Sequence, residues 1–182
     1  MTTRIQPVDV AAATGDTKQV LDAIKAKMGR VPNIFQLMAN SPAAVNGYLV
    51  FSDALSKGVL SAKLREEIAI TVAEVNRCEY CLSAHYAIGK SIGMTDTELE
   101  DARLERSADE KSNAALTFVR SMLNRKGDVT EASVETLKSV GMTDAEIAEI
   151  IANVSLNIFT NYFNIFANPE LDFPRIKTAF PA

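Results

Sequence analysis

Both cysteines and the only histidine of this 182-residue chain fall within one stretch, EEIAITVAEVNRCEYCLSAH, from Glu66 to His85. Cys78 and Cys81 form a C-x-x-C, His85 follows four residues later, and Glu66 lies twelve residues before Cys78. Residues three and four apart share a helical face, so on one helix Cys78, Cys81 and His85 converge. Two cysteines at this spacing can also close a disulfide with little backbone movement. A peroxide-reducing thiol needs a thiolate at neutral pH, a proton donor for the leaving alkoxide, and a second thiol to resolve the sulfenic acid. The stretch holds a candidate for each: the two cysteines, His85 as proton carrier, and Glu66 as its partner in a relay. Each residue also has a plainer reading, as inert core cysteines, a structural histidine, and a glutamate serving the helix dipole. The compact spacing favours a redox site.

Other chemistries fit less well. Zinc would take Cys78, Cys81 and His85 as three ligands, but a closed structural site needs a fourth and the chain has no other Cys or His. No nucleophile elbow or glycine-rich phosphate loop follows a strand. Neither metal nor cofactor is expected. The net charge of −4, with no Lys/Arg cluster, argues against nucleic acid or anionic lipid as a partner. The opening MTTRIQPVDV lacks a signal-peptide apolar run, so a cytoplasmic location is expected. The 145–167 stretch is long and apolar, but it carries Glu146, Glu149, Asn153, Asn157, Asn161 and Asn164. Such groups are costly in lipid, so no membrane is expected and the asparagines read as a wet or subunit-facing stripe on a core helix.

The elements that must position these residues are punctuated by caps and glycines. Asp16 with Gln19 opens a helix ending at Gly29, and Ser41-Pro42 opens another ending near Gly58. Ser61 opens the helix carrying Glu66, and Asn76 is expected to end it in a left-handed conformation. That break matters, because on an unbroken helix Glu66 would stand roughly 18 Å from Cys78. A helix from Cys78 to Ile92 then places the C-x-x-C in its first turn, where the dipole favours a thiolate. Capping boxes are expected at Thr95–Glu98, Ser107–Glu110 and Thr143–Glu146, and the tail from Asn168, with Pro169, Pro174 and Pro181, cannot be helical throughout. No alternating strand appears, so the fold class is all-α in one domain. An N-terminal helical extension is expected over 1–40, a redox core over 41–105, and C-terminal helices over 106–182.

SIGMTDTEL at 91–99 returns as SVGMTDAEI at 139–147, an offset of 48 residues. At that offset Glu66, Cys78, Cys81 and His85 map to Ala114, Lys126, Val129 and Ser133. The expectation is a degenerate internal helical repeat whose second copy keeps the frame without the chemistry.

The pattern Glu66-x₁₁-Cys78-x₂-Cys81-x₃-His85 resembles the alkylhydroperoxidase D core of the carboxymuconolactone decarboxylase superfamily. GRVPNIFQLMANSP at 29–42 resembles the entry segment of its peroxidase-related members. The resemblance implies Cys81 as peroxidatic cysteine, Cys78 as resolving cysteine, and Glu66 and His85 as the proton relay. Tyr80 occupies a position that is histidine in the best-known member, and is a further candidate contributor. The resemblance also implies trimers or hexamers, an organic hydroperoxide as substrate, and a lipoyl- or thioredoxin-type dithiol as reductant. The competing reading is a redox-sensing or disulfide-exchange oligomer without turnover. A decarboxylase is a third, disfavoured because decarboxylase members lack the cysteine pair. Glu67, adjacent and read as a surface residue, is the expected neutral control for Glu66.

Overall fold

In the computed structural model, which describes residues 3–179, every regular element among the described residues is an α-helix. In order these are α1 (Gly15–Met28), α2 (Asn33–Met38), α3 (Pro42–Ser56), α4 (Ala62–Val75), α5 (Glu79–Ser91), α6 (Asp96–Arg103), α7 (Glu110–Asn124), α8 (Glu131–Ser139) and α9 (Asp144–Ala167). The all-α expectation holds. The tail from Asn168 leaves the helix as its prolines require, although Pro181 lies outside the described residues.

The molecule is assembled around α4, which packs against α5, α6, α7 and α9. Its apolar residues do not form one stripe. Ile68, Ile70, Val72 and Ala73 are all fully buried, so the helix is covered on every side. Two carboxylates are buried with them. Glu74 is neutralised by Arg103 of α6, Nε to Oε2 at 2.8 Å, and also accepts the Ala179 amide of the tail. Glu67 accepts from the Ser107 hydroxyl, at 3.2 Å, and its Oε2 has no hydrogen-bond partner among the described residues. Burial therefore pushes the Glu67 carboxyl up from its ordinary value, against the pull of Lys63 and the serines. Glu67 is not a surface residue, and it cannot serve as a neutral control.

The helix punctuation is largely as the sequence predicts. Ser41, Ser61, Thr95 and Thr143 cap α3, α4, α6 and α9, and the last two complete capping boxes with Glu98 and Glu146. Two caps differ. Helix α1 starts at Gly15 behind Thr14, without a side-chain cap from Asp16. Helix α7 is capped by Asp109, whose carboxylate accepts from Ser112 N at 2.8 Å, so Ser107–Glu110 is not a capping box. An aspartate at the right backbone position outcompetes the serine two residues earlier.

The long helix α9 is a core helix through Ile150 and Val154, but its asparagine stripe does not face water. Asn153, Asn157, Asn161 and Asn164 are buried, while Ile151, Phe159, Tyr162 and Phe166 are exposed. Asn153 and Asn157 donate back to carbonyls of α9 itself, Glu149 O and Asn153 O, and Asn161 and Asn164 reach other elements. Asn76 Nδ2 donates to Asn161 Oδ1 at 3.2 Å, tying the end of α4 to α9. Among the described residues, no helix is long and apolar enough to cross a membrane.

Candidate redox site

The break that brings the site together lies between α4 and α5. Asn76 stays right-handed at φ −80°, and Arg77 takes the left-handed position at φ 58°. Arg77 N then donates to Glu74 O at 3.0 Å and Cys78 N to Ala73 O at 2.9 Å, which closes α4 with a Schellman motif. Cys78 is at once the last residue of that motif and the N-cap of α5, its sulfur accepting from Cys81 N at 3.3 Å. One residue thus ends one helix and begins the next. The expected break is real, but one residue later than the asparagine suggests.

The chain turns back there, and α5 packs along α4. Glu66 and His85 meet, Oε2 to Nδ1 at 2.8 Å, with both side chains mostly buried. When Glu66 is a carboxylate it holds the proton of His85 on Nδ1, leaving Nε2 as the nitrogen that can exchange a proton. Cys78 and Cys81 form a disulfide with Cα atoms 5.3 Å apart, and both are almost wholly buried.

Cys81 and His85 line one cavity of about 90 Å³. Its remaining wall is mainly apolar, from Ile34, Phe35, Ile88 and Phe173, with the Tyr48 ring set against Phe35 at 5.7 Å between centroids. Burial pushes the Tyr48 phenol up from its ordinary value. The cavity brings together Cys81, His85 and a mainly apolar lining of the kind that takes the organic part of a small molecule.

Tyr80 sits beside this cavity, but its hydroxyl is committed elsewhere. It donates to Asp172 and accepts from Ile34 N at 3.3 Å, and its ring meets Phe173 edge-on at 6.1 Å. Burial, then the Asp172 carboxylate, push its phenol well above the ordinary range. Asp172 in turn accepts from Arg30 and from Asn33 N, at 3.1 and 2.8 Å. Tyr80 therefore holds the tail and α2 around the site, and Phe173 is placed in the cavity wall by these contacts.

The sequence reading missed one residue in contact with sulfur. Asn164 Nδ2 lies 3.3 Å from Cys81 Sγ, and its buried Oδ1 has no hydrogen-bond partner among the described residues. The spacing of the four asparagines was the available signal, but it could not say which way the stripe faces. An amide donor at a buried sulfur favours the thiolate of the reduced protein.

Residues 41–122 match the carboxymuconolactone decarboxylase family. No curated protein sequence matches the chain significantly. The fold is similar to that of a peroxidase-related protein from Ralstonia eutropha JMP134, described as an alkylhydroperoxidase AhpD core, with TM-score 0.84, 25% identity, and 94% of this chain and 93% of that one covered. It is similar also to a peroxidase-related protein from Silicibacter sp. TM1040, with TM-score 0.80, 24% identity and coverage of 94% and 95%. A third similar fold is a cysteine-to-alanine variant of the debrominase Bmp8 in complex with 2,3,4-tribromopyrrole, with TM-score 0.78, 18% identity and coverage of 94% and 93%.

Proposed function

From the match of residues 41–122 to the carboxymuconolactone decarboxylase family and the likeness of the fold to an alkylhydroperoxidase AhpD core, we propose that the chain is an alkylhydroperoxidase D-like member of that superfamily and a thiol-dependent peroxidase reducing organic hydroperoxides. The observation that carries this reading is the shared cavity of Cys81 and His85, with His85 bonded to Glu66 and Cys81 to Cys78.

In the proposed cycle the Cys81 thiol passes its proton to His85 and attacks the terminal peroxide oxygen. The O–O bond breaks, and the alkoxide takes the proton from His85 and leaves as the alcohol. Cys81 is then a sulfenic acid. Cys78 attacks its sulfur, the S–S bond forms, and hydroxide leaves with the Cys78 proton as water. An external dithiol of lipoyl or thioredoxin type returns both cysteines to thiols. Glu66 holds His85 in one tautomer and stabilises its cationic form.

The exposed Ile151, Phe159, Tyr162 and Phe166 face of α9 supports self-association, since large apolar patches usually mark interfaces. A trimer or hexamer in the cytoplasm is the proposed form.

The test is consumption of cumene hydroperoxide with a dithiol donor, by wild type and Cys81→Ser. Wild type turns over repeatedly and the variant not at all. A single equivalent consumed by wild type would instead mark a redox sensor, and equal turnover by both would exclude thiol chemistry at Cys81. A brominated pyrrole belongs in the same assay as an alternative electrophile, because a similar fold is that of a debrominase.

A further inference from the structure

The two cysteines of the disulfide line different cavities. Cys81 lines the cavity of about 90 Å³ that holds His85, and Cys78 lines a separate one of about 330 Å³. Tyr80 and Asn164 border both and form the partition between them. The Cys78 cavity is walled by Ile165 and Asn168 at the end of α9 and by Leu171 and Arg175 of the tail, with Arg77 beside the cysteine.

We propose that the Cys78 cavity is the entry site of the reductant, a small dithiol that is free or carried on a flexible arm, and that exchange begins on the Cys78 sulfur. This rests on the reading that the disulfide turns over, though not on a hydroperoxide being its oxidant. Access decides which sulfur of a disulfide is attacked, and the attacking thiolate approaches along the S–S axis, from the side away from the leaving sulfur. A cavity that reaches Cys78 and not Cys81 admits that approach to Cys78 alone. Its volume falls in the roughly 300–1,000 Å³ range of small-molecule sites. Arg77 is exposed at its wall beside Cys78, while Arg175 is paired there with Glu79 at 3.2 Å, and a cation beside the sulfur favours an incoming thiolate. The His85 cavity is smaller, and its apolar wall penalises an unpaired anion.

The step balances. One donor thiolate bonds to Cys78 Sγ as the Cys78–Cys81 bond breaks, and Cys81 leaves as a thiolate facing the Asn164 amide and sharing the cavity of His85. The second donor thiol then attacks its own partner sulfur, releasing Cys78 and closing the donor disulfide. Two electrons and two protons pass from donor to protein.

The experiment treats the oxidised protein with the monothiol β-mercaptoethanol, quenches in acid, alkylates free thiols and maps the mixed disulfide by tandem mass spectrometry. The expected adduct is on Cys78 with Cys81 alkylated, and an adduct on Cys81 overturns the proposal. In parallel, Leu171→Trp narrows the Cys78 cavity and Ile88→Trp the other. Leu171→Trp, with helical circular dichroism intact, is expected to slow reduction by dithiothreitol severalfold and to leave oxidation by cumene hydroperoxide unchanged. Ile88→Trp is expected to do the reverse. A slower reduction in Ile88→Trp, or none in Leu171→Trp, overturns the assignment, as does reduction by a thioredoxin-type protein but by neither dithiothreitol nor dihydrolipoamide. If dithiols reduce the protein through Cys78 but hydroperoxide does not re-form the disulfide, the peroxidase reading falls and the entry site stands.

Discussion

The two halves of the repeat, α4–α6 and α7–α9, use one frame to different ends. Their N-caps Ser61 and Asp109 stand 48 residues apart, as do the capping-box threonines Thr95 and Thr143. Gly93 and Gly141 are both left-handed, and the amides of Met94 and Met142 close α5 and α8 with equivalent bonds to Gly89 O and Leu137 O. The halves part at the first link. Residues 76–78 alone join α4 to α5, whereas residues 125–130 separate α7 from α8. Helix α8 begins at Glu131, which corresponds to position 83, four residues later than the start of α5 at Glu79. The missing helical turn is the one that carries the C-x-x-C. The chemistry thus depends on a short hinge as much as on reactive side chains.

The halves also differ in reach. Helix α6 has 8 residues and α9 has 24. The extra length carries Asn164 to the Cys81 sulfur, so the half that lacks the reactive residues still supplies one contact to them.

The largest expected effect comes from making the first half proton-inert like the second, where Ala114 stands at the Glu66 position. Glu66→Gln keeps the shape and the contact to His85 but removes the charge, and should lower hydroperoxide turnover by ~10²–10⁴-fold. Wild-type turnover in this variant, measured in steady state, would mean that the Glu66–His85 pair is structural and the two halves differ only in their cysteines.

A smaller effect is expected where the halves meet. Asn164→Ala removes the amide donor at Cys81, and a hydrogen bond to a charged group is worth about 1.5–3 kcal/mol. Alkylation of the reduced protein by iodoacetamide at neutral pH should slow at Cys81 by roughly tenfold or more, with Cys78 little changed. An unaltered Cys81 rate would return α9 to a purely structural part.

The smallest effect concerns Glu67, whose counterpart Ala115 is equally buried. Burial raises the Glu67 carboxyl above its ordinary 4.5. As pH rises above 4.5 the unfolded chain loses this proton first, so stability falls until the folded carboxyl also ionises. Glu67→Gln should therefore be more stable than wild type at pH 7 by on the order of 1 kcal/mol or less, with the gain vanishing below the ordinary value. Thermal melts at pH 4 and pH 7 decide it. A variant less stable at pH 7 would show that Lys63 and Ser107 compensate the buried charge fully.

The sequence by itself determined the helical class, most helix boundaries, the repeat offset and the hinge near residue 76, because caps, glycines and apolar spacing are local signals. It also marked Glu66, Cys78, Cys81 and His85, because rare side chains at close spacing need no fold to be noticed. Only the tertiary structure decided what each helix face touches. Glu67 is buried because α4 is covered on all sides, which one helix's own pattern does not reveal. The asparagines of α9 point inward and Phe159, Tyr162 and Phe166 outward, the reverse of what polarity alone suggests, since α4 and Cys81 offer Asn161 and Asn164 partners that water otherwise would. Tyr80 looks like a site residue by position, yet Asp172, 92 residues away, holds its hydroxyl. Contacts at that separation depend on how the whole chain closes, and no local periodicity encodes them.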